Sequence, residues 1–236
     1  MLRVSLLKKT FGQPGATQSA FSLDVADLRI DEPGIYGLIG ANGCGKSTLA
    51  KLIAGVLKPD AGGVETALKS RDITMVTQKP YVMDDTVLNN LAYPLRLRGV
   101  KRYRELCDER LARIGFLDRR NQPARALSGG EKQKLALLRA MIFDPALVIL
   151  DEAMTELDLD SLDMFTGMIL ERQKASPAIW IVISHQLAHV RRLCANAFFM
   201  ANGRLEAQGP TEELLRGDNP AVRRYLGNEA RTAPED

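Results

Sequence analysis

The chain has 236 residues, 45% apolar and 26% charged, and its 32 basic side chains against 29 acidic ones leave a formal charge of +3. These are the proportions of a folded chain with one large or two small domains, and they exclude disorder, collagen and coiled coil. The longest apolar runs, around Ala146–Leu150 and Ala178–Ile183, are far shorter than the roughly 18 residues a membrane helix needs. The start, Met1-Leu-Arg-Val-Ser, lacks the order of a signal peptide, which predicts a chain on the cytosolic side. Cys44, Cys107 and Cys194 are too few and too scattered for a disulfide framework or a zinc site, so all three are expected to be reduced.

In chain order, Leu2–Leu7 and Phe21–Ile30 flank Gly12-Gln-Pro-Gly15 and predict two antiparallel strands joined by a loop. Ile35–Gly40 predicts a buried strand that runs into a glycine-rich turn. From Lys46 the residues Leu49, Leu52, Ile53 and Val56 keep helical spacing, and Lys58-Pro-Asp-Ala-Gly-Gly63 is expected to end that helix. Ile73–Thr77, Ala146–Leu150 and Ala178–Ser184 show no strict alternation, the pattern of parallel strands covered on both faces. Residues 84–143 read as a helical insertion, with Tyr103, Cys107, Leu111 and Ile114 on one face of a helix that ends near Gly115. Asn202-Gly203 predicts a hairpin turn. Pro210 and Asn219-Pro220 open two short helices, and Gly227–Asp236 reads as a frayed tail. The sum is an α/β fold: a parallel-sheet core with an N-terminal antiparallel β-subdomain and a helical insertion.

Gly40-Ala41-Asn42-Gly43-Cys44-Gly45-Lys46-Ser47 fits G-x-x-x-x-G-K-[ST] between a predicted strand and a predicted helix. Glycines let successive backbone N–H groups curl around an anion, and the helix start adds partial positive charge. Lys46 would neutralise β and γ phosphates, and Ser47 carries a hydroxyl suited to Mg²⁺. The loop predicts nucleotide binding, but many protein classes share it.

Asp151-Glu152 follow the apolar run Ala146–Leu150, which delivers two carboxylates at a strand's C-terminal end, where open α/β sheets bind ligands. Asp151 would hold Mg²⁺ and Glu152 would orient or polarise an attacking water. Alone, the pair also fits an acidic helix start. Leu127-Ser128-Gly129-Gly130-Glu131-Lys132-Gln133 precedes a helix carrying Leu135, Leu138 and Ile142, so a second set of N–H groups faces out of a helix start.

With these residues the chain resembles the ATP-binding subunits of ABC transporters over nearly its whole length, as a single cassette spanning 1–236 with no C-terminal regulatory domain. The resemblance implies that Gly40–Thr48 is the Walker A loop, with Thr48 among its ATP contacts. Gln78 is the Q-loop glutamine and a metal ligand beside Ser47 and Asp151. Ser128, Gly129, Gly130, Glu131 and Gln133 form the signature, which acts on the nucleotide of a second subunit. Leu147–Asp151 is the Walker B strand, Glu152 the catalytic carboxylate, Asp158 the D-loop aspartate, and His185 the switch histidine. His189 keeps a structural reading. Family members commonly read Asp-Glu-Pro-Thr-Ser-Ala-Leu-Asp where this chain has Asp151-Glu-Ala-Met-Thr-Glu-Leu-Asp158, which places a charge at Glu156. In the family an aromatic stacks on adenine; Phe11 is the match, Phe21 competes, and a core role stays open for both.

The implied activity is ATP hydrolysis with Mg²⁺, coupled to transport by a head-to-tail pair of cassettes on membrane permease subunits at the cytoplasmic face, with a substrate-binding protein upstream. Lys79–Asn90, with Tyr81, Val82 and Met83, lies where the family receives a coupling helix. Together with Ala92–Gly99 it resembles importer ATPases, including the oxyanion group for tungstate and molybdate. The competing reading is a soluble ABC-type ATPase acting on nucleic acid or ribosomes; such proteins usually carry two cassettes or a long inserted arm, and this chain has neither. Residues 96–125 hold ten basic and four acidic side chains, leaving the remainder at −3. That excess fits a solvated face, or acidic groups on a membrane partner or lipid headgroups. Nucleic acid has no supporting motif.

Overall fold

The computed structural model of the chain describes residues 1–12, 21–216 and 219–232. The elements begin with β1 (Leu2–Phe11), β2 (Phe21–Ile30), β3 (Gly34–Ile39), α1 (Lys46–Ile53) and β4 (Ala61–Thr66). They continue with β5 (Ile73–Val76), α2 (Val87–Leu97), α3 (Arg104–Arg113), α4 (Gly129–Met141), β6 (Leu147–Asp151) and α5 (Leu159–Ala175). The last are β7 (Ile179–Ile183), α6 (Leu187–Leu193), β8 (Asn196–Ala201), β9 (Arg204–Pro210), α7 (Thr211–Leu215) and α8 (Pro220–Thr232). They group into two compact units, one of residues 1–70 and 179–236, the other of residues 71–178. The second unit contains the predicted helical stretch 84–143 together with β5, β6 and α5.

In the first unit β1 pairs antiparallel with β2 and β4. The expected Gly12–Gly15 loop lies outside the described residues beyond Gly12. β3 lies between β7 and β8, parallel to both, and β9 returns antiparallel to β8 through the predicted Asn202-Gly203 turn. Both turn residues have positive φ, 48° and 77°, as a tight hairpin with the right twist requires. All of β7 is buried, with Trp180 fully so, and this covered strand accounts for the absence of alternation in its sequence. Each such buried Ile or Val stabilises by about 1.5–3 kcal/mol relative to exposure.

In the second unit β5 and β6 run parallel. β6 is wholly buried, whereas β5 is only half-buried except at Val76, so the expected cover on both faces holds for β6 and not for β5. α2 starts at Thr86, whose Oγ1 accepts from the Asn89 amide at 3.1 Å. Cys107 and Leu111 form the buried face of α3 as its spacing predicts.

Three expectations are corrected. α1 ends at Ile53, not at Lys58–Gly63: Gly55 takes φ +72°, its amide donates to the Leu52 carbonyl at 3.1 Å, and the Val56 amide donates to the Lys51 carbonyl at 2.9 Å. This is a Schellman stop, and it leaves the Val56 side chain 66% exposed. Ala61-Gly-Gly63, expected as part of the helix stop, instead begins strand β4, which runs on to Thr66. α8 runs to Thr232, so the chain is helical beyond Gly227, where a frayed tail was expected. Among the described residues no helix is long and apolar enough to cross a membrane.

Candidate functional site

In the first unit the phosphate-binding loop leaves the C-terminal end of β3. Gly40 has φ +145°, and a Cβ there would lie 2.1 Å from the Met200 carbonyl oxygen, so no side chain fits. At Gly45, φ is +108° and a Cβ would meet Leu23 at 2.8 Å and the Phe21 ring at 2.9 Å. Ala41, Asn42 and Gly43 are exposed at the loop crest, while Cys44 and Lys46 are buried. The Lys46 ammonium donates to the carbonyls of Gly40 at 2.7 Å and Ala41 at 2.9 Å. It is 5% exposed. The Gly45 carbonyl accepts from the Leu49 amide at 2.9 Å, which starts α1. A helix uses none of its own first amides internally, so the loop and first turn offer donors to an anion. Ser47 is exposed and Thr48 half-buried in that turn. Burial raises the Cys44 thiol pKa, and Lys46 offsets part of the rise.

β7 lies beside β3 in parallel register, with Leu38 opposite Ile183. Ser184 and His185 therefore leave β7 at the end where Gly40 leaves β3. The Ser184 hydroxyl accepts from the Gln186 amide at 3.0 Å, which turns the chain after β7. His185 is half-buried. His189 has its pKa lowered, first by burial and then by Arg192 and His185. Phe11 is 41% exposed, so the core role left open for it does not apply, and its ring centre is 6.5 Å from that of Phe21. Phe21 abuts Gly45 of the loop, and Phe11 lies opposite Phe21 in the β1–β2 pairing.

In the second unit β5 and β6 likewise end together, Val76 opposite Leu150. Gln78, exposed, follows one strand, and Asp151, 6% exposed, ends the other. Glu152 is half-buried with φ +52°, a conformation that costs a non-glycine residue about 1–3 kcal/mol and recurs at functional sites. Its carbonyl accepts from Thr155 Oγ1 at 2.8 Å. The Gln133 side-chain amide donates to the next carbonyl, that of Ala153, at 2.5 Å.

Ser128 caps α4 in a capping box: its Oγ accepts from the Glu131 amide at 3.3 Å, and Glu131 Oε2 accepts from the Ser128 amide at 2.8 Å. Arg119 forms an ion pair with Glu131. The Arg119 guanidinium first, and then the Ser128 amide, hold the Glu131 carboxyl down to about 2. Gly129 and Gly130 stand at the helix start, and a Cβ on Gly129 would lie 3.6 Å from the Glu156 carboxylate. Asp158 caps α5, accepting from the Ser161 amide at 2.8 Å, with Lys134 at 3.2 Å. Ser161 chiefly, with Lys134 after it, lowers the Asp158 carboxyl to about 2.

The structure thus separates the signature residues by role. Gln133 is 1% exposed and turned inward, and Glu131 is engaged with Ser128 and Arg119, so neither side chain presents itself to a second subunit in this conformation. Ser128, Gly129 and Gly130 remain at the helix start. Sequence reasoning missed Asn90, which is fully buried. Its Oδ1 accepts from the Met83 amide at 2.8 Å and Arg139 at 3.2 Å, and its Nδ2 donates to the Thr86 carbonyl at 2.9 Å. It ties down the segment after Gln78, and the only sequence signal is an amide inside an apolar helical pattern.

The ABC transporter family pattern matches residues 23–155. This chain belongs to that family. As one of its ATP-binding subunits it is 36% identical over 216 residues to the tungstate uptake system ATP-binding protein TupC of Peptoclostridium acidaminophilum, covering 88% of this chain and 98% of that one. It is also 29% identical over 247 residues to the methionine import ATP-binding protein MetN 1 of Listeria monocytogenes serotype 4b (strain F2365), covering 98% of this chain and 72% of that one. A solved ATP-binding subunit of an ABC transporter matches the fold with a TM-score of 0.81 at 24% identity, covering 98% of each chain. A dimeric ATP-binding cassette solved with ADP and Pi matches with a TM-score of 0.78 at 22% identity, covering 89% of this chain and 99% of that one.

Proposed function

We propose that this subunit hydrolyses ATP to drive an importer of a small solute, with an oxyanion of the tungstate type as the first candidate. Import is supported by two relatives named for uptake systems, and the oxyanion by the higher identity, 36%, of the tungstate relative. The observation that carries the ATP site is Lys46: a buried ammonium held in a glycine-walled loop by two carbonyls and, among the described residues, no carboxylate. Burying a charge is costly until an opposite charge compensates it, and a polyphosphate supplies one.

The residues divide the work. Amides of Gly43–Thr48 and Lys46 bind the phosphates, and Phe11 or Phe21 stacks on the base. Glu152 polarises the attacking water, and His185 contacts the γ phosphate as charge develops there. The hydroxyl of Ser47, the amide oxygen of Gln78 and the carboxylate of Asp151 are hard oxygen donors that fit Mg²⁺. That ion, when bound, screens phosphate charge and aligns the leaving group. A second copy, or a related cassette, pairs head to tail so that its Ser128, Gly129 and Gly130 cover the nucleotide, and Asp158 lies in the D-loop of that pair. Closure on ATP and reopening after hydrolysis pull on permease subunits at the cytoplasmic face of the membrane. A substrate-binding protein delivers the solute, and nucleic acid has no part.

Equilibrium ATP binding tests the carrying observation. Replacing Lys46 removes charge-assisted hydrogen bonds worth about 1.5–3 kcal/mol each, so Lys46→Ala is expected to weaken ATP binding at least roughly tenfold while the protein melts as before. ATP binding as tight as the parent's would overturn the assignment.

A further inference from the structure

The turn from α2 to α3 differs in composition from its surroundings. Residues 96–104 read Arg-Leu-Arg-Gly-Val-Lys-Arg-Tyr-Arg, five cations without one acid. A second Schellman stop holds the turn. Gly99 takes φ +72°, its amide donates to the Arg96 carbonyl at 3.0 Å, and the Val100 amide donates to the Leu95 carbonyl at 3.0 Å.

One cation is engaged inside the unit. Arg98 stacks 3.5 Å over the Phe143 ring and donates to the Pro94 and Arg71 carbonyls. Arg96, Lys101, Arg102 and Arg104 are exposed, and among the described residues none of the four has a carboxylate at ion-pair distance. The cations further along behave differently: Arg113, Arg119, Arg120 and Arg125 pair with Glu171, Glu131, Asp108 and Asp84. Between the unpaired cations Leu97 is 67% and Val100 40% exposed, and Tyr93, one helical turn before Leu97, is 44% exposed. At the start of α3, Tyr103 supplies no side-chain cap, so the helix's partial positive charge adds to the patch.

A solvated face accounts for the cations but not for a leucine and a valine held out among them. Apolar side chains flanked by unpaired Lys and Arg are what a bilayer interface selects: the apolar groups reach the acyl boundary and the cations reach the phosphates. An amphipathic ring such as tyrosine suits the same depth.

We propose that the α2–α3 turn is a membrane-contact surface for anionic phospholipid headgroups, with Leu97 and Val100 entering the interface and Arg96, Lys101, Arg102 and Arg104 pairing with lipid phosphates. It extends the importer reading by adding a lipid partner to the protein ones. Vesicle binding needs neither nucleotide nor permease, so its failure leaves the ATPase assignment standing, and loss of ATPase activity leaves the lipid surface standing.

The test is co-sedimentation of the full chain with vesicles of phosphatidylglycerol and phosphatidylcholine, against phosphatidylcholine alone, at low and at physiological salt. Binding to the anionic vesicles only is expected, weakening as salt rises. Each cation near such a surface contributes about fivefold in affinity, so Lys101→Gln/Arg102→Gln/Arg104→Gln is expected to bind roughly a hundredfold more weakly. Leu97→Ser/Val100→Ser is expected to weaken binding at every salt concentration. Both variants leave the ATPase residues in place, and unchanged ATP hydrolysis checks that they fold. Equal binding to both vesicle types, no binding to either, or unchanged binding by the triple variant overturns the proposal; an acidic protein as the true partner would give the second of these.

Discussion

At the scale of single residues, the phosphate loop was the most legible part of the chain because steric limits dictate it. Gly40 and Gly45 sit where a Cβ would strike Met200, Leu23 or Phe21, and both have positive φ. Gln133 was not legible in the same way: the motif fixes its position in the chain but not that its side chain turns inward to Ala153. Glu152 illustrates the same limit, since nothing in Asp-Glu foretells its φ of +52°. Cys44 yields a prediction at this scale. The thiol is 6% exposed, and a Cβ at Gly40 would already touch its sulfur at 3.0 Å, so a bulky adduct cannot coexist with the loop's shape. Because burial raises its pKa, less thiolate is present at neutral pH than for an ordinary cysteine. A maleimide is therefore expected to react slowly at pH 7 and faster as pH rises, to abolish ATP binding once attached, and to be excluded by prior ATP. Mass spectrometry beside an ATP-binding assay checks this; full modification of Cys44 with unchanged ATP affinity would refute it.

At the scale of elements, sequence patterns located most strands and several helices, but not α5 or α6, nor where α1 stops. Val56 continues the apolar spacing, yet its backbone amide closes the Schellman stop while its side chain faces water. Spacing alone cannot separate these, because the positive φ belongs to Gly55, one residue earlier. β4 was hidden for a related reason: with two glycines and one valine it has no strand-like composition, and only its pairing with β1 makes it a strand. The start of α4 was legible as a serine and two glycines before a helix, whereas the capping box that Ser128 forms with Glu131, and Arg119 twelve positions away, were not. The capping box and ion pair supply the prediction. Glu131 has its carboxyl lowered from 4.5 to about 2, so its stabilisation is present above the unfolded value and lost as pH falls through the folded one. Glu131→Gln keeps the box but loses the ion pair, worth about 1 kcal/mol at a partly exposed site. Its melting temperature is expected to lie about 2–4 °C below the parent's at pH 7, with the gap narrowing as pH falls below about 4.5. A gap independent of pH in calorimetry would contradict the assignment.

At the scale of the whole molecule, the charge of +3 conceals an uneven distribution, with a local excess of six positive charges in residues 96–125. The structure divides that stretch again, into paired arginines and the unpaired cluster at the α2–α3 turn. The chain path was only partly legible. The helical stretch stands out by its period, but the second unit also takes in β5, β6 and α5, whose strands read like those of the first unit. In both units the functional residues follow strands that end side by side, Gly40 with His185 and Gln78 with Asp151. That placement was legible once Ile73–Thr77, Ala146–Leu150 and Ala178–Ser184 were recognised as parallel strands. The central claim is that Glu152 activates the water that cleaves ATP, within a pair of chains that ATP holds closed. Removing a positioned general base costs about 10²–10⁴ in rate. Steady-state phosphate release by Glu152→Gln is the most direct measurement: the account predicts a fall of at least about a hundredfold, with ATP still bound and the pair intact by sedimentation. Turnover at the parent's rate would contradict it.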